Sequence, residues 1–387
     1  MDGHVHPDFL PVAERLREQL AVSSGGAAVC IFHRGRCVVD LWGGVRDRDG
    51  HAWLADTMAP SFSTTKGVAS TLVHILVDRG LLDYEDRVAK HWPEFAQSGK
   101  ERITLRQVLA HQSGLYHIRQ MIDHADRMLD WEYMVHAIER AEPVHPPGER
   151  TGYHGYTFGW LVGELVRRTD PQRRPFGQFV QDEICGPLGM DSFWMGIPDT
   201  AESRCARLIN TPAPAPGAPT APPDALIFRA IPRNLGTTQE VFGRPDVRRA
   251  CIPGAGGITS ARSLARHYAM LAGLGSFDGV RLLSEERVRL VSGLQTDEVD
   301  AAIGRPIRKG MGYFLAGADA TGAVGPMGPN PAGFGHPGAG GSIGFCDPDA
   351  GLAVGIAKNR MLAPMSPEEN TVLKVANAVR EALAVTA

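Results

Sequence analysis

The chain has 387 residues, 43% of them hydrophobic and 21% charged. That composition supports a packed core, excludes a disordered chain, and predicts two or three structural units. Forty Lys plus Arg stand against 43 Asp plus Glu, for a net charge of -3, and no basic run reaches five residues, which argues against a nucleic-acid partner.

Phe9, Val12, Leu16 and Leu20 recur at helical spacing, so the chain opens with a helix. AAVCIFH and RCVVDLW, separated by a Gly turn, predict a β-hairpin. A loop through Asp47-Arg48-Asp49-Gly50 follows. The segment from Ser63 to Arg79 reads as a helix with Val68, Leu72, Ile75 and Leu76 on one face. In ITLRQVLAHQSG, Thr104 with Gln107 forms a capping-box signal and Gly114 supplies a stop. Further helices are expected from Tyr156 to Arg168 and in PFGQFVQDEI. The stretch TPAPAPGAPTAPP, from Thr211 to Pro223, holds six prolines and reads as an extended loop or a linker.

Beyond that stretch, Ser260 to Gly273 reads as a helix. FGHPGAGGSIGFCDPDAGLAVGIAKN reads as two strands joined at Asp347-Pro348-Asp349-Ala350-Gly351. The chain closes with a helix capped by Ser366, with Pro367 and Glu369 in its first turn. Strands near both ends and helices between them predict an α/β (α+β) fold. Residues 1–80 and 250–387 would form the α/β part, an antiparallel sheet built from both termini and flanked by helices. Residues 81–249 would form a mostly helical insertion.

Three residue groups suggest chemistry. Ser63-Thr64-Thr65-Lys66 is an S-x-x-K at the start of a helix, where positions i and i+3 share a face. Burial lowers a lysine pKa, and the neutral amine can take the serine proton. The helix N-terminus adds N–H groups where an oxyanion would form. The plain alternative is a helix cap beside a solvated Lys. Tyr153, in PPGERTGYHGYTFGW, is a second candidate, and otherwise a core aromatic with a bonded hydroxyl. His336-Pro337-Gly338-Ala339, at the head of a strand, is the third, and otherwise a Gly-rich turn.

Their order and spacing resemble the serine β-lactamase and penicillin-binding-protein superfamily, and within it the class C-like esterases (family VIII carboxylesterases). That family carries S-x-x-K on a helix, then Y-x-N or a degenerate Tyr motif, then K-T-G or a His-x-Gly variant on a strand. FSTTKGVAS, LRQVLAHQSGL, PPGERTGYHGYTFGWLVGE and FGHPGAGGSIGFCDP carry the likeness from about Gly25 to the last strand. The resemblance implies a β-lactamase/transpeptidase-like fold and a small-molecule ester as substrate. It implies Ser63 as nucleophile, with Lys66 and Tyr153 sharing the general-base task. It places the oxyanion hole at the N–H groups of Ser63 and Ala339. His336, Gly338 and Gly155 would line the substrate, with His336 bonding either Tyr153 or the substrate.

Two positions depart from that pattern. Gly155 stands where the family has Asn, and His336 where it has Lys; both losses fit an esterase better than a β-lactamase. β-Lactamase, D-amino-acid peptidase and acyltransferase activity on the same fold remain alternatives, as does a non-catalytic ligand-binding protein. Pro337 lacks an N–H and is expected at a strand edge, where a substrate would lie. Gly340-Gly341-Ser342-Ile343-Gly344 matches G-x-S-x-G, but that elbow needs a helix after the Ser and a later His, and the last His is His336. Ser342 therefore reads as a strand residue in a Gly run that lets the backbone approach a ligand.

No metal or cofactor is expected. His4 and His6 form H-x-H at an end expected to be mobile, and no zinc or phosphate-loop signature appears. Cysteines 30, 37, 185, 205, 251 and 346 form no C-x-x-C and read as free buried thiols. No apolar run is long enough to span a membrane, and the N-terminus lacks an apolar core behind a basic start, so a cytoplasmic chain is expected.

Overall fold

The computed structural model describes residues 1–22, 24–209, 225–232, 235, 238–361 and 371–386. The Pro-rich stretch Thr211–Pro223 and the Ser366-Pro367-Glu369 cap lie outside the described residues. Among the described residues twelve strands form. In chain order they are β1 (Asp2–Val5), β2 (Gly26–His33), β3 (Arg36–Gly44), β4 (Ala59–Phe62), β5 (Phe193–Met195), β6 (Gly257–Thr259), β7 (Ser276–Phe277), β8 (Val280–Arg281), β9 (Phe314–Leu315), β10 (Phe334–Pro337), β11 (Ile343–Asp347) and β12 (Leu352–Lys358).

Seven strands build one sheet in the order β1-β3-β2-β12-β11-β10-β9, each pair antiparallel. The expected sheet drawn from both ends of the chain is therefore present. Helices cover both of its faces, which is why its central strands are apolar throughout. Successive side chains of β2 alternate between two cores. Cys30 and Phe32 join the core beneath the helices Thr65–Asp78 and Ala261–Ala272. Val29 and Ile31 join the core beneath the helices Leu10–Val22 and Thr371–Thr386. Gly344 and Gly355 face each other in register across β11 and β12. A Cβ on Gly355 would lie 2.3 Å from Ala261 O, and one on Gly344 would lie 2.2 Å from the Tyr268 ring. Their bare backbones let the Ala261–Ala272 helix sit down on the sheet.

A second, three-stranded sheet runs β4-β6-β5. β5 comes from the mostly helical middle of the chain, so this sheet ties that region to the strand leading into Ser63.

Several local expectations change. The Thr104–Gln107 capping box forms, but its helix spans Leu105–Leu109 and stops well before Gly114. His111 takes a left-handed φ of 60° at the exit, and Gly114 serves a later turn. The 334–358 run makes three strands, not two, because the glycine turn at 338–341 breaks the first from the second. The expected mobile N-terminus is edge strand β1, with His4 opposite Asp40. The six cysteines are free, yet Cys37 is exposed and Cys251 is partly exposed. Cys37 pairs with Phe32 across the hairpin, not with Cys30.

Gly355→Ala should lower stability by about 1–3 kcal/mol through overpacking. A urea midpoint that falls at unchanged slope is the expected result.

Candidate active site

β4 ends at Phe62, whose φ of 53° is left-handed for a bulky residue. That strained turn releases the chain from the small sheet and presents Ser63, partly exposed, just before the Thr65–Asp78 helix. The turn is fastened from below. Ser61 Oγ donates to Gly257 O at 3.1 Å, Gly257 N donates to Thr65 Oγ1 at 2.9 Å, and Thr65 Oγ1 donates to Phe62 O.

Lys66, one helical turn on, is fully buried. Its Nζ lies 3.1 Å from Ser63 Oγ, 2.6 Å from Gly155 O and 2.7 Å from Gly254 O. Among the described residues no carboxylate pairs with it, and burial holds its ammonium well below the usual lysine range. Tyr153 OH donates to Ser63 Oγ at 2.7 Å. Burial pushes this phenol well above the ordinary tyrosine range, so it is protonated at neutral pH. The structure thus brings Ser63, Lys66 and Tyr153 together, with Lys66 Nζ 4.9 Å from the Tyr153 ring centre.

His336 stands on β10, stacked 4.6 Å from Phe314 and 6.2 Å from Tyr153, measured between ring centroids. Its Nδ1 lies 2.8 Å from Pro337 O. A ring nitrogen facing a carbonyl carries the proton, so Nε2 is the bare acceptor, and it is buried without a partner among the described residues. Burial lowers this imidazole to about 3. His336 is neutral and does not bond Tyr153, whose phenol is engaged by Ser63.

β9 covers β10 only at Phe334 and Gly335, which leaves the His336–Pro337 end open on that side. The missing N–H of Pro337 falls there, although β10 is not itself the edge strand. A Cβ on Gly338 would lie 2.1 Å from Ser61 O. Only glycine lets the Gly338–Ala339 peptide close against the strand that carries the nucleophile. Ser342 Oγ donates to the same Ser61 O at 3.0 Å. It is a clasp between the start of β11 and β4, and at Gly338 the Gly run brings backbone against backbone.

Gly155 contributes its carbonyl to Lys66. A Cβ there would lie 2.6 Å from both Ala230 O and Ile231 Cγ1, so the 230–231 segment fills the space an Asn side chain would need. Sequence reasoning missed Gly254, although the glycines at 254, 256 and 257 were a visible signal. It also missed Asp300 and Lys309, a buried ion pair behind Tyr153. Nothing local in the sequence marks them. Among the described residues, Asp47, Asp49 and His51 form a group with metal-ligand spacing, on an exposed loop where Asp47 already accepts from His51 and Asp49. No helix among the described residues is long and apolar enough to cross a membrane.

Known proteins share this fold. A family model described as Beta-lactamase matches residues 12–378. "Esterase/beta-lactamase LipL" of Mycobacterium tuberculosis is 35% identical over 88% of this chain and 78% of its own length. A solved family VIII carboxylesterase superposes with a TM-score of 0.87 at 32% identity, over 97% of this chain and 98% of that one. EstA from Arthrobacter nitroguajacolicus Rue61a gives 0.86 at 30% identity, with 100% of each chain covered. The family match spans nearly the whole sequence: the chain belongs to the beta-lactamase family and is a serine hydrolase.

Proposed function

We propose that the protein hydrolyses uncharged carboxylic esters through an acyl-enzyme on Ser63. One observation carries this reading: Ser63 Oγ sits between a buried amine at 3.1 Å and a phenol at 2.7 Å, beside an imidazole that is neutral. A neutral Lys66 has two N–H groups for the carbonyls of Gly155 and Gly254, and one lone pair for the Ser63 proton. Ser63 Oγ attacks the ester carbonyl carbon while its proton passes to Lys66. The N–H groups of Ser63 and Ala339 take the oxyanion. As the C–O bond breaks, the Lys66–Tyr153 pair returns the proton to the departing alkoxide. Water then attacks the acyl carbon, gives a proton to the same pair, and releases the acid as Ser63 regains its hydrogen. The pair titrates as a unit.

The carboxylesterase structures and the esterase relative support the ester as substrate. The neutral His336 leaves no fixed cation at its position for an antibiotic carboxylate, and the 230–231 segment blocks the space beside Gly155. Six free cysteines suit a reducing compartment such as the cytoplasm.

Ser63→Ala should lower p-nitrophenyl butyrate hydrolysis by at least about 10³-fold, as loss of a nucleophile does elsewhere. Equal rates for the two proteins would remove Ser63 from the mechanism.

The rate should also depend on pH through Lys66. The amine is active when neutral, so kcat/KM rises as pH climbs through its depressed pKa. That acid limb should lie well below the ordinary lysine value of about 10.4. Activity should then hold through neutral pH, and Lys66→Arg, always charged, should be inactive. A limb near the ordinary value would exclude a neutral Lys66 as base.

His336 should stay neutral, protonated at Nδ1, across roughly pH 5 to 8 in long-range ¹H–¹⁵N spectra, unlike an unperturbed imidazole. A cationic ring in that range would contradict the reading of an uncharged substrate.

A further inference from the structure

We propose that the buried Asp300–Lys309 pair is a positioning device that fixes the Tyr153 phenol for proton transfer at Ser63. The proposal rests on the reading of Ser63 and Tyr153 given above. Both side chains are fully buried, with Lys309 Nζ 2.6 Å from Asp300 Oδ2. Lys309 Nζ also donates to Thr151 Oγ1 at 2.6 Å, two residues before Tyr153. The other carboxylate oxygen, Oδ1, accepts from Tyr153 N at 3.0 Å and from Ala302 N and Ile303 N, both at 2.8 Å. Ala301 N closes the clasp by donating to Thr151 O at 2.8 Å.

The clasp therefore holds the backbone of Tyr153 at one end, while Ser63 Oγ receives its phenol at the other. The ring between is walled by His111 at 5.3 Å and Phe314 at 5.8 Å, and packs with Tyr116, Ala230 and Ala302. An ion pair this deep is costly to desolvate, and an apolar pair of similar volume often stabilises a fold as well or better. What the carboxylate supplies here is direction. It gathers three N–H groups from two segments onto one oxygen, one of them belonging to the residue whose hydroxyl must meet the nucleophile.

A double-mutant cycle on p-nitrophenyl butyrate hydrolysis tests this. Asp300→Asn puts an amide N–H₂ against Lys309 and breaks the pair. It should lower kcat about 10- to 100-fold, as a misplacement of about 1 Å does, with KM little changed. In a Tyr153→Phe background the same change should lower kcat no further, because no phenol is left to misplace. A multiplicative loss in the double variant, or a rise in KM alone, would overturn the proposal. So would unchanged activity in Tyr153→Phe alone. If Asp300→Asn does not fold, Thr151→Val, which removes one anchor of Lys309, enters the same cycle; wild-type kcat in that variant would also overturn it. Ser63→Ala, run alongside, separates the two ideas. An active Ser63→Ala defeats the esterase mechanism itself, whereas an inactive one with a failed cycle defeats only the role of Asp300 and Lys309.

Discussion

The site depends on one buried amine. Lys66 reaches Ser63 from full burial, and among the described residues its polar contacts are two carbonyls and the serine hydroxyl. An ammonium in such a place is expensive, since carbonyl dipoles replace only part of its hydration. A neutral amine is not, because its two N–H groups find two acceptors and its lone pair faces the hydroxyl. Desolvation therefore favours the neutral amine, which is the form that the base proposed for Ser63 requires.

That constraint explains much of the surrounding architecture. The two carbonyls come from distant parts of the chain, Gly155 at the start of the Thr157–Thr169 helix and Gly254 just before β6. Both must lie within bonding distance of one nitrogen, so the helical middle and the strand-forming ends cannot drift apart. The small β4-β6-β5 sheet joins the same two regions, and the strained Phe62 turn rises from it. Gly159 packs against Gly254 so closely that a Cβ would lie 2.0 Å from Gly254 N. Helix and loop thus meet backbone to backbone, and the nucleophile turn is fastened to Gly257 at the end of the same loop through Ser61 Oγ and Thr65 Oγ1.

The residues proposed to carry the chemistry stand out in the sequence because their signals are local. Ser63 and Lys66 share a helical face. Tyr153 and His336 stand in short motifs whose glycines mark close backbone approach. The sheet was legible for the same reason: alternating apolar runs and a Gly turn define β2 and β3, and the Asp347–Gly351 turn defines β11 and β12. What escaped is set by tertiary contact. β5 and β9 are only three and two residues long and exist because a neighbour pairs with them. Gly114 looked like a helix stop, but His111 adopts the left-handed conformation first, its ring packed on Phe158 and Tyr153. Asp300 and Lys309 lie nine positions apart in a loop with no periodic pattern, and only the fold shows that they meet behind Tyr153. Gly155 and Gly254 act through carbonyls, which no side-chain pattern records.

The two departures from the family pattern share one physical consequence. His336 is neutral where a lysine would hold a permanent charge, and Gly155 leaves its space to Ala230 and Ile231 where an amide would offer polar groups. The environment of Ser63 is then low in fixed charge at these two positions. An uncharged ester loses little hydration on entering such a site, whereas an anionic one would surrender its hydration with no cation offered at His336. In the proposed reaction negative charge appears only when Oγ attacks, on the carbonyl oxygen, and the Gly338–Ala339 peptide proposed to meet it is held against the nucleophile strand by a contact that only glycine permits. Donors offered to a developing oxyanion favour the transition state over the bound substrate, which is the condition for catalysis and not merely for binding.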